Sequence, residues 1–294
     1  MINKKIVVIT TVIGYFLTVI GLASCSDIDE ADRLTPVNVI YRDTIDAPEP
    51  EPQDSIDFFT PYRRCALIED FTGQNCVNCP NATQLIATMQ EMLGHDTLVA
   101  VSIHSGPLGV KAEKNAEGLA TDLGDTYYND WKIEMQPYGV IDRSDGPLGT
   151  ESWTAKVNWD LAAEQWPATQ CNIFVHAEKS ADSQQADIHV TLAGMKGTVS
   201  GKLQLWMTED DITAFQKMPD GSTNKAYIHN HVLRDAVNGT WGDDCSVAEG
   251  ELWEHDYTCT LNNAWKPENL SVVAFVYDKD GVIQVAKTKM NINK

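Results

Sequence analysis

The stretch EDFTGQNCVNCP, residues 69–80, decides the fold, because it sets a Cys-x-x-Cys pair just after the apolar run Ala66 to Ile68. Two thiols at this spacing, where a strand leads into a helix, can close a disulfide. The dipole of the helix then stabilises the first sulfur as a thiolate. The stretch therefore predicts a dithiol site in which Cys76 is the nucleophile and Cys79 the resolving cysteine.

Two other interpretations of this pair need to be weighed. A structural zinc site requires four ligands, and no second Cys-x-x-Cys or His-x-x-x-His follows in the sequence. No metal and no cofactor are therefore predicted. An inert disulfide that staples the start of the helix is the second interpretation, and it stays open beside a redox role.

The pattern around the dithiol is that of an α/β domain. Residues Cys65 to Phe71 predict a strand, Asn78 to Leu93 a helix and Thr97 to His104 a second strand. Strand, helix and strand joined by short loops form a right-handed parallel unit. Further helices are predicted over residues 113–133 and 152–166.

Beyond Ala168 the apolar residues recur with a period of about two, which predicts an all-β domain. The last two predicted strands flank Asp278-Lys279-Asp280-Gly281, a strong hairpin signal. Short strands of this kind fit a sandwich with immunoglobulin-like architecture. The predicted strands are Cys171–Ala177, Asp187–Leu192, Lys202–Met207, Leu270–Tyr277 and Val282–Lys289.

The dithiol segment resembles the active site of thioredoxins, which carry an acidic residue and a phenylalanine four residues before Cys-x-x-Cys. Asp70 and Phe71 stand in that register. The resemblance implies that Asp70 lies beneath the disulfide and relays a proton to Cys79. It also implies that Pro137 is a cis-proline facing the disulfide. One departure is Asn75, where thioredoxins usually have tryptophan, so substrate docking is expected to differ or to be absent.

The N-terminus has the layout of a secretory signal. Two lysines precede the apolar stretch Ile6 to Ile20, and Leu22-Ala23-Ser24-Cys25 matches the bacterial lipoprotein box. A transmembrane anchor of minimum length is the alternative, and the box disfavours it. We therefore predict a signal peptide over residues 1–24, cleavage before Cys25, and attachment to the membrane through lipid on Cys25.

The composition excludes some partners and indicates a tether. With 22 basic and 42 acidic side chains the net charge is −20, so nucleic acid and anionic lipid are not expected partners. Residues 25–61 are acidic and proline-rich, and they predict an extended, lipidated tether. Acidic residues just behind Cys25 resemble an export signal to the outer face of the outer membrane. Cell-surface display is predicted, with the periplasmic leaflet as the alternative.

Three motifs in the second half carry a more specific resemblance: EDDI at 209–212 with Gln216 following, YIHNHVLR at 227–234 and NGTWG at 238–242. Together with the dithiol segment they resemble the twenty-eight-kilodalton outer-membrane lipoprotein family, from about residue 64 onward. This resemblance implies a thioredoxin-like domain over residues 62–168 and an immunoglobulin-like β-sandwich domain over residues 169–294, both carried on a lipid anchor.

Several polar residues of the β-domain have two interpretations. His229 and His231 could bind a metal from one face of a strand, but a hydrogen-bond network with Arg234 is favoured. The acidic run Glu209 to Asp211 could bind calcium, although it lacks the ligand pattern of a known loop, so a solvated turn is favoured.

The remaining cysteines are expected to pair in an exported protein. Four of them, Cys65, Cys171, Cys245 and Cys259, allow three connectivities. We predict Cys245 with Cys259 and Cys65 with Cys171.

Two functional classes follow from these observations. The first is a binding or accessory lipoprotein of cell-envelope assemblies such as nutrient uptake systems, with an outer-membrane protein or a peptide as its partner. The second is a membrane-anchored thiol-disulfide oxidoreductase that uses Cys76 and Cys79. The binding role is favoured, because a redox catalyst outside the cell has no evident supply of electrons.

Overall fold

The dithiol segment lies in a strand-helix-strand unit. In the computed structural model, which describes residues 57–112, 117–162, 169–180 and 182–293, strands β1 (Ala66–Thr72) and β2 (Leu98–His104) pair in parallel, and helix α1 (Cys79–Leu93) connects them. The seven residues of each strand are all buried. Such continuous burial is typical of strands that are covered on both faces of a sheet. The predicted strands and helix are confirmed to within one residue at their ends.

The next elements complete the α/β part. They are α2 (Asp122–Asp130), β3 (Tyr138–Ile141), β4 (Pro147–Gly149) and α3 (Thr150–Asp160). Of the helix predicted over 113–133, only α2 is helical among the described residues, so the rest of that prediction is wrong there. Thr121 caps the start of α2, since its side chain accepts a hydrogen bond from the Gly124 amide at 2.9 Å. The helix predicted over 152–166 starts two residues earlier, at Thr150, and residues 163–168 lie outside the described part.

The rest of the chain is mostly β-strand. All five predicted strands are confirmed, each slightly longer than predicted, and the hairpin at Asp278–Gly281 is formed. Among the described residues, six further strands lie outside this predicted set; His229 ends one of them, and His231, predicted to lie on the same strand, falls outside it. The full set is β5 (Cys171–Ser180), β6 (Gln185–Gly194), β7 (Thr198–Glu209), β8 (Ile212–Lys217), β9 (Thr223–His229), β10 (Val232–Ala236), β11 (Asp243–Ala248), β12 (Leu252–Thr260), β13 (Leu270–Asp278), β14 (Gly281–Lys289) and β15 (Asn291–Asn293).

Three sheets organise the described strands. A nine-stranded sheet has the order β14-β13-β7-β10-β2-β1-β3-β4, with β11 also paired to β7. A four-stranded sheet has the order β12-β6-β5-β15, and β8 and β9 form a separate hairpin. Strand β10 joins the two parts of the large sheet, since Val232 pairs with Ser102 of β2.

The hydrophobic cores explain this arrangement. One core fills the space between the four-stranded sheet and the C-terminal strands of the large sheet, with Leu192 and Leu205 among its buried residues. A second core combines residues of both predicted domains, such as Phe71 of β1, Trp206 of β7 and Phe275 of β13. Residues Asp57–Lys294 accordingly form one compact unit. The domain boundary at residue 168 stays a prediction.

The predicted signal peptide over residues 1–24, the lipidation site Cys25 and the tether up to residue 56 lie outside the described residues. Residues 57–61 of the predicted tether are described, and they contact the β part: the Asn172 amide donates hydrogen bonds to the carbonyl oxygens of Phe58 and Thr60, both at 2.8 Å. Among the described residues, no helix is long and apolar enough to cross a membrane.

The predicted pairing of the four remaining cysteines is wrong in this structure, where Cys65, Cys171, Cys245 and Cys259 are free. For Cys245 and Cys259 the reason is topological. Cys245 lies on β11, which pairs with β7 of the large sheet, whereas Cys259 lies on β12, which pairs with β6 of the small one. Proximity in sequence therefore does not bring these two thiols onto adjacent strands of one sheet.

Candidate functional site

A disulfide between Cys76 and Cys79 lies at the start of α1, with a Cα–Cα distance of 5.4 Å. Helix α1 begins at Cys79, and Pro80 occupies its first turn, a position where the missing amide proton is not needed. Asn78 precedes the helix without a side-chain capping bond. The free amides and the dipole of this helix end favour negative charge on a nearby sulfur.

The register of β1 and β2 places polar side chains on the sheet face that packs against α1. Asp70 pairs with Ser102 and Thr72 with His104. Side chains alternate along a strand, so Asp70 and Thr72 share a face with Ile68, which packs against α1. At their C-terminal ends β1 and β2 therefore carry polar side chains on this face, and Thr72, Ser102 and His104 lie beside the first turn of α1.

Asp70 is the most unusual of these groups. Its side chain is completely buried, and neither carboxylate oxygen has a hydrogen-bond partner within the described chain. Desolvation by burial raises the pKa of Asp70 from 3.8 to about 7. A carboxyl group in this state can hold or release a proton near neutral pH.

Pro137 lines a groove beside α1. The Gln136–Pro137 peptide bond is cis. The Gln136 side-chain amide donates hydrogen bonds to the carbonyl oxygens of Thr72, at 2.6 Å, and Ser105, at 3.0 Å. These bonds attach the proline segment to the ends of β1 and β2. An open groove of about 400 Å³ lies between this segment and α1, lined by Asn78, Leu85, Met135, Pro137 and Tyr138 among others.

The β8–β9 hairpin holds the loop that carries Cys76. The Gln216 side-chain amide donates hydrogen bonds to the carbonyl oxygens of Cys76, at 2.8 Å, and Gly73, at 3.2 Å. The Lys217 amide donates to the Gln74 carbonyl oxygen at 2.9 Å. Cys76 and Cys79 are each only 2% exposed. The second half of the chain therefore covers and fixes the disulfide.

Two histidines and a tyrosine complete the surroundings of the disulfide. The rings of His104 and His229 meet edge to face with their centroids 5.2 Å apart, and Tyr227 packs against His229 at 4.8 Å. Sequence reasoning missed the role of His104 and Tyr227. The sequence offered one indication, a histidine at the end of the apolar strand β2. Its contact with His229 depends on tertiary structure.

The other polar candidates have structural partners. His231 Nδ1 lies 3.0 Å from Asp210 Oδ1, and Lys287 contacts the same carboxylate. Arg234 forms an ion pair with Glu209, so the predicted network of both histidines with Arg234 is not formed. Within the described ranges, no group of three or more His, Cys, Asp or Glu side chains is placed to hold a metal ion.

A prediction arises at Gly73, which lies against the Leu108 backbone. A Cβ atom added at Gly73 would overlap the carbonyl group of Leu108. We therefore expect Gly73→Ala to lower the free energy of unfolding by about 1–3 kcal/mol, measured by chemical denaturation. Gly149→Ala is the matched control, since its Cβ would meet the movable carboxylate of Glu151. Equal stability of the two variants would contradict the tight contact.

Fold and site together define a β-rich protein that carries a disulfide at the start of a helix. Residues 124–294 match the family model described as outer membrane protein Omp28. This match covers more than half of the chain, so the chain belongs to the Omp28 family and is an outer-membrane protein. The dithiol segment precedes the matched residues.

Comparison with solved structures gives the fold. HBP35 of Porphyromonas gingivalis is similar with a TM-score of 0.59 and 14% identity, over 78% of this chain and 76% of that chain. At this identity the likeness concerns the fold alone. A domain of the outer membrane lipoprotein Omp28 from Porphyromonas gingivalis matches with 29% identity and a TM-score of 0.32, over 44% of this chain and 93% of that chain. No curated protein matches the chain significantly.

Proposed function

We propose that this outer-membrane protein is a thiol-disulfide oxidoreductase with a thioredoxin-like site built on Cys76 and Cys79. The observation that carries the proposal is Asp70, an unpaired carboxyl group buried on the sheet face that packs against α1. Burying such a group is unfavourable, and a functional need explains its presence better than stability does. Its raised pKa suits proton transfer at neutral pH.

The reaction follows from the order of the two sulfurs. A thiolate of a substrate dithiol attacks Cys76 Sγ, the Cys76–Cys79 bond breaks, and its electron pair stays on Cys79 Sγ, which takes a proton from Asp70. The second substrate thiolate then attacks the substrate sulfur of the mixed disulfide and releases Cys76. The substrate is oxidised to its disulfide, and the protein is reduced to the dithiol.

The groove beside Pro137 supports the choice of an extended peptide as substrate. It runs between α1 and the Gln136–Pro137 segment, and Met135, which is 58% exposed, offers an apolar side chain at its edge. The resemblance to thioredoxins implies that the backbone before Pro137 hydrogen-bonds such a chain. Asn75, which replaces the tryptophan usual in thioredoxins, alters the surface that the peptide would meet.

The proposal predicts that full-length protein purified in detergent oxidises a dithiol peptide, and that Cys76→Ser abolishes this turnover because the attacked sulfur is lost. Formation of the peptide disulfide is measured by mass spectrometry. The matched control is Cys259→Ser, which removes a thiol from β12. Equal turnover in Cys76→Ser and unmodified protein would overturn the enzymatic role.

A binding role is the second candidate, and the burial of the disulfide favours it. A thiol cannot reach Cys76 at 2% exposure unless the covering hairpin or the loop moves. In this alternative the disulfide staples α1, and the groove and the β-sandwich, with its immunoglobulin-like architecture, bind an outer-membrane protein or peptide. Crosslinking in intact cells that captures the same partner with Cys76→Ser as with unmodified protein would support it.

The anchor and the membrane face complete the proposal. Cleavage before Cys25 and acylation of Cys25 would attach the protein to the outer membrane, and the acidic residues that follow favour the cell surface. Mass spectrometry of the N-terminal peptide tests the lipid. Protease treatment of intact cells tests surface exposure, and a β part that resists digestion until the outer membrane is permeabilised would place the protein on the periplasmic leaflet.

A further inference from the structure

Two buried imidazoles lie near the disulfide without a role in the reaction described above. His104 is 3% exposed and His229 is 5% exposed. Within the described residues, His104 Nδ1 and His229 Nε2 have no hydrogen-bond partner. Buried polar atoms are nearly always hydrogen-bonded, so these two orphaned nitrogens, like the unpaired Asp70 carboxyl, require an explanation.

A small polar cavity brings the two imidazoles to Cys79. It has a volume of about 10 Å³, room for a single water molecule with several polar neighbours. Cys79, His104 and His229 line it, together with Tyr227 and Thr83. The cavity thus lies between the resolving cysteine and two rings from distant parts of the chain.

Proton transfer at Cys79 needs such a connection. Asp70 is 0% exposed and Cys79 is 2% exposed, so a proton consumed at Cys79 must be replaced through the protein interior. A neutral imidazole can accept a proton at one nitrogen and donate from the other. Burial lowers the pKa of His229 from 6.5 to about 4, and it lowers the pKa of His104 well below 6.5. Both rings are therefore neutral at physiological pH and suited to this relay.

We propose that His229, assisted by His104, carries protons between solvent and the buried Asp70–Cys79 pair. This inference rests on the proposed disulfide exchange. When the disulfide is reduced, Cys79 Sγ keeps the electron pair of the broken bond and takes the proton of Asp70. The imidazole of His229 takes a proton from solvent and passes a proton to the Asp70 carboxylate, so that the ring ends neutral. The same path runs backwards on re-oxidation.

Several charged or titratable groups face this path and shape its pH dependence. Cys79 faces it from α1 and Tyr227 from β9, and the charge of Asp70 on β1 acts on Tyr227. From β10, the positive charge of Arg234 acts with burial and with His229 to lower the pKa of His104. Burial also raises the pKa of Tyr227, which keeps its hydroxyl protonated.

The test is the rate of disulfide reduction by dithiothreitol between pH 5 and 9, followed by thiol alkylation in the full-length protein. We expect His229→Gln to slow reduction about tenfold or more at pH 7, because general acid–base groups typically contribute 10²–10⁴-fold, and to change the shape of the pH profile. Glutamine keeps the size and polarity of the site but cannot relay a proton. His176→Gln, on an exposed part of β5, is the matched control.

The outcomes separate this inference from the proposed function. If unmodified protein oxidises the dithiol peptide and His229→Gln, folded with the same melting temperature, has an unchanged rate and pH profile, the proton path is overturned while the oxidoreductase stands. If unmodified protein shows no turnover, the proposed function fails.

A second measurement needs no substitution. The ring nitrogen resonances of His229 are recorded by nuclear magnetic resonance in oxidised and reduced protein. We expect its tautomer or titration to change when Cys79 gains its proton, since the two share a cavity. Identical His229 ring spectra in both redox states at every pH would overturn the inference, even if His229→Gln did not fold.

Discussion

Replacing Arg143 with methionine is expected to lower the free energy of unfolding by about 3–5 kcal/mol, because it leaves the Glu69 carboxylate buried without its partner. The Arg143 Nε donates to Glu69 Oε1 at 2.7 Å, and the two side chains are 4% and 0% exposed. The guanidinium also lies over the rings of Trp206, at 5.2 Å, and Tyr277, at 4.6 Å. Methionine would keep apolar contact with these rings but not the charge.

Urea denaturation of the full chain measures this effect. Lys202→Met is the matched control, since its pair with Asp244 is solvent-exposed and such pairs contribute at most about 1 kcal/mol. The double variant Glu69→Leu with Arg143→Met should recover much of the loss, because no unpaired charge remains. A loss of less than about 1 kcal/mol in Arg143→Met would contradict the importance of this buried pair.

Asp70→Asn is expected to stabilise the protein at pH 8 and to change its stability little at pH 4. The folded protein keeps Asp70 protonated up to a pKa of about 7, against 3.8 in the unfolded chain. Between these values the folded state binds more protons, so the stability of the unmodified protein falls as the pH rises and stays low above pH 7. At about 1.4 kcal/mol per pKa unit, the stabilisation by asparagine reaches about 4 kcal/mol at most.

Denaturation at pH 4, 6 and 8 tests this prediction, with the exposed Asp244→Asn as control. In the same variant we expect dithiol oxidation to slow, because Cys79 loses its proton donor. A variant that gains stability and loses activity would identify Asp70 as a group retained at a cost to stability. Equal stability gains at pH 4 and pH 8 would show instead that Asp70 is ionised throughout this range.

Local sequence was enough to locate the dithiol site. The Cys-x-x-Cys spacing after an apolar run predicted a disulfide at the start of α1. The register of Asp70 before the first cysteine predicted an acidic side chain near the end of the preceding strand. The alternation of apolar residues likewise predicted five of the C-terminal strands, because side-chain period follows directly from backbone geometry. These features depend on neighbours within a few residues.

Sequence patterns failed where the partners are distant. The strands β8 to β12 were not predicted, since several are short and largely polar on their exposed sides. Both predicted cysteine pairs are wrong; for Cys245 and Cys259, which are close in sequence, the sheet topology separates the two strands. Nothing local indicates that β10 would pair with β2.

The amino-acid sequence by itself determined the dithiol, the strand-helix-strand unit around it and the period-two pattern of the second half. Tertiary structure alone decided that the second half closes over the first: Gln216 holds the Cys76 loop, and His229 meets His104 beside the disulfide. The physical reason is burial. Asp70 and the two imidazoles gain their shifted pKa values only when strands far apart in the sequence exclude water from these side chains.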